Sequence, residues 1–159
     1  VAAAREKRHA AMSIGTQTKL MTLLARDLMQ KEPVTVPADM RFRQIQHLFV
    51  VARIGGAPVV DPSGNVVGVI STTDLLGAIE QASDEDVDPG ADELEALTAI
   101  DLATPEVIWV SPAASVTEVA QVMQARGVHR VLVGDDERLV GIVTAFDLLQ
   151  ALTRVMPGA

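Results

Sequence analysis

The feature that most constrains this 159-residue chain is an internal repeat, which has to be found before any other pattern is trusted. Asp27-Leu28 recurs as Asp101-Leu102, and Val34-Thr35-Val36 as Ile108-Trp109-Val110, at an offset of 74. The same offset pairs Ile45 with Val119, Phe49 with Met123, Ile54 with Val128, Val59 with Val133 and Asp61 with Asp135. One residue is lost where Pro62-Ser63-Gly64-Asn65 faces the shorter Asp136-Glu137-Arg138. Beyond that point Gly68-Val69-Ile70-Ser71-Thr72-Thr73-Asp74 matches Gly141-Ile142-Val143-Thr144-Ala145-Phe146-Asp147 at an offset of 73. A register broken once, at a turn, marks two copies of one supersecondary unit.

Each copy reads as β-α-β-β-α. A short β-branched strand (Val34–Val36; Val107–Val110) precedes a helix whose apolar residues fall at helical spacing. Those residues are Phe42, Ile45 and Phe49 in the first copy, and Val116, Val119, Ala120 and Met123 in the second. Two strands joined by a tight turn follow, Pro58–Val60 to Val66–Ile70 and Val131–Val133 to Leu139–Val143. A second helix begins at Thr72 or Ala145. A copy of about fifty residues buries too little apolar surface to stand alone. The expected fold is therefore mixed α/β (α+β), with two repeats packed through their sheets by pseudo-twofold symmetry. The expected domains are an N-terminal helical extension (1–24), a first repeat (25–81), an acidic insertion (82–99) and a second repeat (100–156). Leu20, Leu23 and Leu24 supply the extension's apolar stripe, while residues 1–12 read equally as a fraying tail.

Composition removes several classes of function. There is no cysteine, which excludes disulfides, thiolate metal sites and cysteine nucleophiles. The three histidines (His9, His47, His129) form no helical pair at metal-ligand spacing. Net charge is −8, but eight acids and no base lie between Glu80 and Glu95, so the remaining thirteen acids balance the thirteen bases. With no tyrosine, one Trp and three Phe, the neutral body has neither the basic face nor the stacking aromatics of a nucleic-acid binder. No apolar run approaches the ~18–20 residues that span a bilayer. Arg5, Lys7 and Arg8 are not followed at once by an apolar stretch, so no secretory leader is expected. The expected location is the cytoplasm, with neither a membrane nor a nucleic acid as partner.

The motif Gly-h-h-[Ser/Thr]-x-x-Asp (h apolar) closes a strand and opens a helix in both copies. One reading is a capping box, in which Ser71 or Thr144 serves an orphan helix N–H. The other is a ligand site. A hydroxyl and first-turn N–H groups favour an anion, and the carboxylates of Asp74 and Asp147 are placed to accept bonds from vicinal hydroxyls. Capping is served as well by Glu or Gln, and the presence of Asp in both copies argues for hydroxyl binding. No nucleophile and base pair is visible, so an enzyme is not expected and no catalytic residue is assigned.

Two such repeats resemble a pair of CBS domains, the regulatory modules named after cystathionine β-synthase. The resemblance covers about Ala25–Ile79 and Ile100–Leu152. It implies an adenosine-containing regulatory ligand (AMP, ADP, ATP or S-adenosylmethionine) in clefts between the domains, with no required cofactor. It also implies a four-domain homodimer and a separate regulated protein. By the resemblance Asp74 and Asp147 hold ribose, with Ser71 and Thr144 near ribose or phosphate. Val34 and Thr35 wall the base in one copy; Thr104, Val107, Ile108 and Trp109 do so in the other. Trp109 reads equally as a stacking or a packing residue. Gly127-Val128-His129-Arg130 resembles the basic stretch that contacts phosphates in nucleotide-binding relatives, which places His129 and Arg130 at the crevice. Arg130 reads equally as a surface partner of Asp135 or Asp136. The first copy has Gly55-Gly56 there, so the two clefts are not equivalent. Apolar faces on Leu75-Leu76-Ile79 and Leu148-Leu149-Leu152 favour the homodimer. The other reading of the chain is a ligand-free structural or dimerisation module in which the motifs are only caps.

Asp84, Asp86, Asp88, Asp92 and Glu95 fall at the oxygen-ligand spacing of an EF-hand loop. The place that needs a sharp-turning Gly is Pro89, whose fixed φ forbids the turn. No metal site is expected. A solvated linker is, followed by a helix over Asp92–Leu102.

Overall fold

A computed structural model describes residues 22–84, 91–135 and 138–155. Residues 1–21 of the expected N-terminal helical extension (1–24), and Asp86 and Asp88 of the EF-hand-like positions, lie outside the described residues. Leu23 and Leu24, expected in that helix, are not helical, and Leu24 instead bridges Ser115 in antiparallel fashion. In chain order the elements are α1 (Ala25–Leu28), β1 (Gln30–Lys31), β2 (Val36–Pro37), α2 (Phe42–Ala52), β3 (Gly56–Val60), β4 (Val66–Ser71) and α3 (Thr72–Asp84). Then come α4 (Ala91–Ala96), α5 (Ala99–Leu102), β5 (Trp109–Val110), α6 (Val116–Arg126), β6 (Arg130–Asp135), β7 (Arg138–Thr144) and α7 (Ala145–Val155). Omitting α4, which sits in the insertion, the two copies match except that the counterpart of β1 in the second copy is a single bridge at Thr104. The first strand of each is shorter than expected because Val34-Thr35 and Val107-Ile108 enter the ladder without joining it.

The chain forms two compact units, and they are not the two repeats. Of the described residues, one unit holds those within Pro33–Val107; the other joins those up to Glu32 with those from Ile108 onward. In the first, β2 runs parallel to β3 and β3 antiparallel to β4. Thr104 of the second repeat lies beside β4, where it exchanges two 2.9 Å backbone bonds with Val69. In the other unit, β1 of the first repeat pairs with β7 in a sheet ordered β1-β7-β6-β5. Gln30 and Thr104 are equivalent positions, so each repeat's leading helix and strand complete the sheet of the other. The helix starts are tied in the same way. In one unit the Phe42 amide donates to the Leu97 carbonyl and the Ala99 amide to Met40; in the other the Val116 amide donates to Leu23 and the Ala25 amide to Ala114.

Burial follows the apolar periodicity. Phe42, Ile45 and Phe49 of α2 close over Val36, Val59 and Ile70 in one core. Val119 and Met123 of α6 close over Val110, Val131, Val133 and Val143 in the other. The fold even repeats its irregularities, with a register shift at Val59/Val60 and another at Val133/Gly134.

Two further expectations need correction. The helix expected over Asp92–Leu102 is two helices, because Thr98 takes an extended conformation (φ −109°, ψ 168°) and caps α5. The described end of the acidic insertion is docked, not solvated: Leu94 and Leu97 pack on the first core, and Glu95 pairs with Arg43 of α2. Charge density alone suggested a linker, but a leucine every third residue supplies an apolar edge that outweighs it.

Candidate functional site

Each repeated motif sits where a β-hairpin's last strand becomes a helix. In the first copy the Ser71 amide and hydroxyl donate to Asp74 Oδ2 at 2.7 and 2.6 Å. In the second, the Thr144 amide and hydroxyl donate to Asp147 Oδ2 at 2.7 Å each. The Asp147 amide lies 3.4 Å from the Thr144 hydroxyl oxygen, its acceptor, closing a reciprocal capping box. Asp147 is buried and Asp74 half-buried. In both copies the motif's own bonds fall on one carboxylate oxygen, Oδ2.

Capping is general in this chain. Thr98 donates its amide and hydroxyl to Asp101, and Ser115 does the same to Glu118, at 2.6–2.8 Å. The Leu24 amide donates to Asp27 and the Arg41 amide to Gln44. All three helices of each repeat therefore begin with a side chain closing back on the preceding amide. That corrects one step of the sequence argument: Asp27 and Asp101 cap the leading helices of both copies, so a paired Asp is not by itself a mark of hydroxyl binding. The Thr98 hydroxyl, then its amide, holds the Asp101 carboxyl below the usual range. The Ser115 amide, then its hydroxyl, does the same to Glu118.

The glycine that opens the motif has a structural cause. A Cβ on Gly68 would lie 2.9 Å from the Thr104 carbonyl oxygen and 3.1 Å from Ala103 Cβ. On Gly141 it would lie 2.5 Å from the Met29 sulfur and 3.0 Å from the Gln30 carbonyl oxygen. Each glycine admits the leading strand contributed by the other repeat.

The sequence-derived site residues divide between the units. In one unit the β6–β7 register sets Arg130 opposite Thr144, and the Ala145 amide donates to the His129 carbonyl at 2.8 Å. His129, Arg130, Thr144 and Asp147 thus meet at one end of one hairpin, with Arg130 half-buried and the His129 side chain exposed. In the other, Gly56 is opposite Ser71 and the Thr72 amide donates to Gly55, so two glycines stand where the second copy has His-Arg. Val34 is exposed, Thr35 half-buried. Thr104 and Val107, grouped at sequence level with Asp147, belong instead to the unit holding Asp74. Gln30 takes the place of Thr104 on β7, a position that repeat arithmetic alone did not single out. Trp109 pairs with Leu132, and its ring lies 2.8 Å from where a Cβ of Gly134 would be. Gly134 is four residues along β6 from Arg130, about 13 Å at strand rise, and the half-buried ring is packed there. Among the described residues no three His, Asp or Glu side chains gather closely enough to hold a metal, and no helix is long and apolar enough to cross a membrane.

The family model for the CBS domain matches residues 25–81 and 99–154. The chain belongs to the CBS-domain family. It is 32% identical over 155 residues to MJ1426, an uncharacterized protein of Methanocaldococcus jannaschii, covering 82% of this chain and 91% of that protein. It is 35% identical over 106 residues to the human 5'-AMP-activated protein kinase subunit gamma-3, covering 66% of this chain and only 21% of that subunit. Among solved structures, the CBS domain pair of protein MJ0100 in complex with 5'-methylthioadenosine and S-adenosyl-L-methionine is similar at 26% identity. Its TM-score is 0.72, with 84% of this chain and 98% of that chain covered. The two sheets, the helices and the tandem arrangement are those of a CBS pair.

Proposed function

We propose that this CBS pair is a non-catalytic sensor. It binds an adenosine-containing molecule (AMP, ADP, ATP or S-adenosylmethionine) at the repeated motifs and modulates a separate protein in the cytoplasm. The observation that carries it is the convergence of Thr144, Asp147, His129 and Arg130 at one end of the β6–β7 hairpin. There a ribose diol meets Asp147 through the oxygen the cap does not use, and a phosphate meets the Arg130 guanidinium, a strong charge-assisted donor. The adenosyl ligands held by the CBS pair of MJ0100 support the ligand class. Asp74 and Ser71 offer the same hydroxyl chemistry without the basic pair. Val34, Thr35, Thr104 and Val107 are the proposed base wall on that side; on the other, Trp109 packs on Gly134 and is left to the packing reading. A homodimer is supported by Leu76, Phe146 and Leu149, which are 55, 65 and 58% exposed. Leu75, counted at sequence level in that apolar face, is instead buried.

One observation favours the ligand-free structural module: both motif carboxylates already close on their own helix starts. Calorimetry with AMP, ADP, ATP and S-adenosylmethionine separates the two. The sensor reading expects saturable heat from at least one ligand. It also expects Asp147→Ala to weaken that binding at least tenfold, while stability changes by about 1 kcal/mol, the scale of a helix cap. No heat from any of the four, or unchanged affinity beside a large loss of stability, leaves the motifs as caps.

A further inference from the structure

An open groove of about 710 Å³ lies at the turn end of the β6–β7 hairpin. Leu139, which lines it, is five strand residues from Thr144, about 17 Å. The groove is therefore separate from the proposed ribose site. The apolar part of its lining is Met29, Leu139 and Val140. Gly141, lacking a Cβ, lets the Met29 thioether lie directly on β7. Lys31 and Arg138, with Glu32 and Asp135, also line the groove, two charges of each sign. Glu32 turns the chain there in a left-handed conformation (φ 49°) that side chains rarely adopt.

The repeat supplies an internal control. The equivalent positions in the other unit are Ala103 for Met29, Pro105 for Lys31 and Asn65 for Arg138, while Glu106 and Asp61 keep the two acids. There Asp61 serves its own turn, accepting bonds from the Ser63 and Asn65 amides and from Asn65 Nδ2. The same hairpin is thus built without the two cations and without the thioether. What the fold does not require, a ligand explains.

We infer that this groove binds a zwitterion with an apolar side chain, the chemistry of a free hydrophobic α-amino acid. Arg138 and Lys31 take the carboxylate through charge-assisted bonds. Glu32 and Asp135 take the ammonium, and the polarizable Met29 adapts to the side chain. A simple phosphate dianion is disfavoured because it faces two carboxylates. The test is a proton–nitrogen NMR titration of the full chain with L-leucine, with isoamylamine and 4-methylpentanoate as analogues lacking one charge each. Leucine is expected to shift the amides of Met29, Lys31, Leu139 and Val140 saturably, with those of Thr144 and Asp147 unmoved. Each analogue is expected to bind at least tenfold more weakly. Arg138→Gln, or Lys31→Gln should the first variant not fold, is expected to weaken leucine at least tenfold. The absence of a saturable shift at those amides overturns the inference. So does 4-methylpentanoate binding as tightly as leucine, which would leave an anion groove only.

Discussion

Replacing Gly68 by Ala tests whether the motif's glycine serves chain crossing. The new Cβ sits 2.9 Å from the Thr104 carbonyl oxygen, closer than Cβ atoms settle against backbone. Relief has to come from the backbone, because no flexible side chain stands between the two. Thr104 is held by two 2.9 Å bonds to Val69, and moving it loosens both. At about 1 kcal/mol per bond, plus the overpacking that typically costs 1–3 kcal/mol, Gly68→Ala is expected to destabilise the chain by about 3–5 kcal/mol. Gly141→Ala is the matched control. Its nearest obstruction is the Met29 sulfur, which can rotate away, and the Gln30 oxygen at 3.0 Å needs only a few tenths of an ångström. About 1 kcal/mol is expected there, at the low end for overpacking. Urea denaturation read by far-ultraviolet circular dichroism, with the slope checked for constancy, measures both. Equal losses in the two variants, or a larger loss for Gly141→Ala, would show that the Thr104 crossing does not set the requirement for glycine.

Arg53→Gly is expected to stabilise the protein by about 0.5–1 kcal/mol, because Arg53 ends α2 in a left-handed conformation (φ 53°) where the second repeat has Gly127 (φ 63°). A lower urea midpoint for the variant would contradict this. Lowered folded-state pKa values mean that Asp101 and Glu118 contribute stability above their ordinary values of 3.8 and 4.5 and lose it as pH falls through the folded values. Asp101→Asn should therefore be less stable than wild type at pH 7, with the gap closing below about pH 4; a pH-independent gap in urea midpoints would assign the loss to something other than ionisation. Arg130→Ala should weaken AMP or ATP more than adenosine in calorimetry. Equal losses would show that Arg130 does not touch phosphate.

Much of the architecture was legible because the repeat checks itself. Phe42, Ile45 and Phe49 could be assigned to a buried helical stripe on period alone, and Val119 and Met123 confirmed it one offset later. What periodicity could not carry was the partner of a two-residue strand. Gln30–Lys31 has no pattern of its own, and only the close approach at Gly141 shows which sheet it joins. That is why Thr104 was grouped with Asp147 rather than with Asp74. The break between α4 and α5 was readable, since Thr98-Ala99-Ile100-Asp101 has the same form as Ser71-Thr72-Thr73-Asp74, but the surrounding acids masked it. For the site, the resemblance put His129 and Arg130 at a crevice without saying which strand they face; it is the hairpin register that sets Arg130 opposite Thr144. The presence of Asp in both copies did not decide between the two readings, since a cap and a ribose clamp ask for the same carboxylate.

The two units are a controlled comparison within one molecule. Positions shared by the copies (the glycine before the crossing strand, the three caps, the valines of the hairpins) are explained by folding alone. Two sets of differences fall at the two ends of the β6–β7 hairpin. At one end of the hairpin His129-Arg130 replaces Gly55-Gly56; at the other, Met29, Lys31 and Arg138 replace Ala103, Pro105 and Asn65. Net charge does not explain them, because the chain as a whole is acidic at −8. Arg130, standing beside Thr144 where the first copy has a glycine and against the sign of the molecule, points to an anionic group on a ligand at that end. An adenosyl phosphate is therefore expected to bind more tightly beside Asp147 than beside Asp74, and Asp147→Ala should remove the tighter of two calorimetric phases where both are seen.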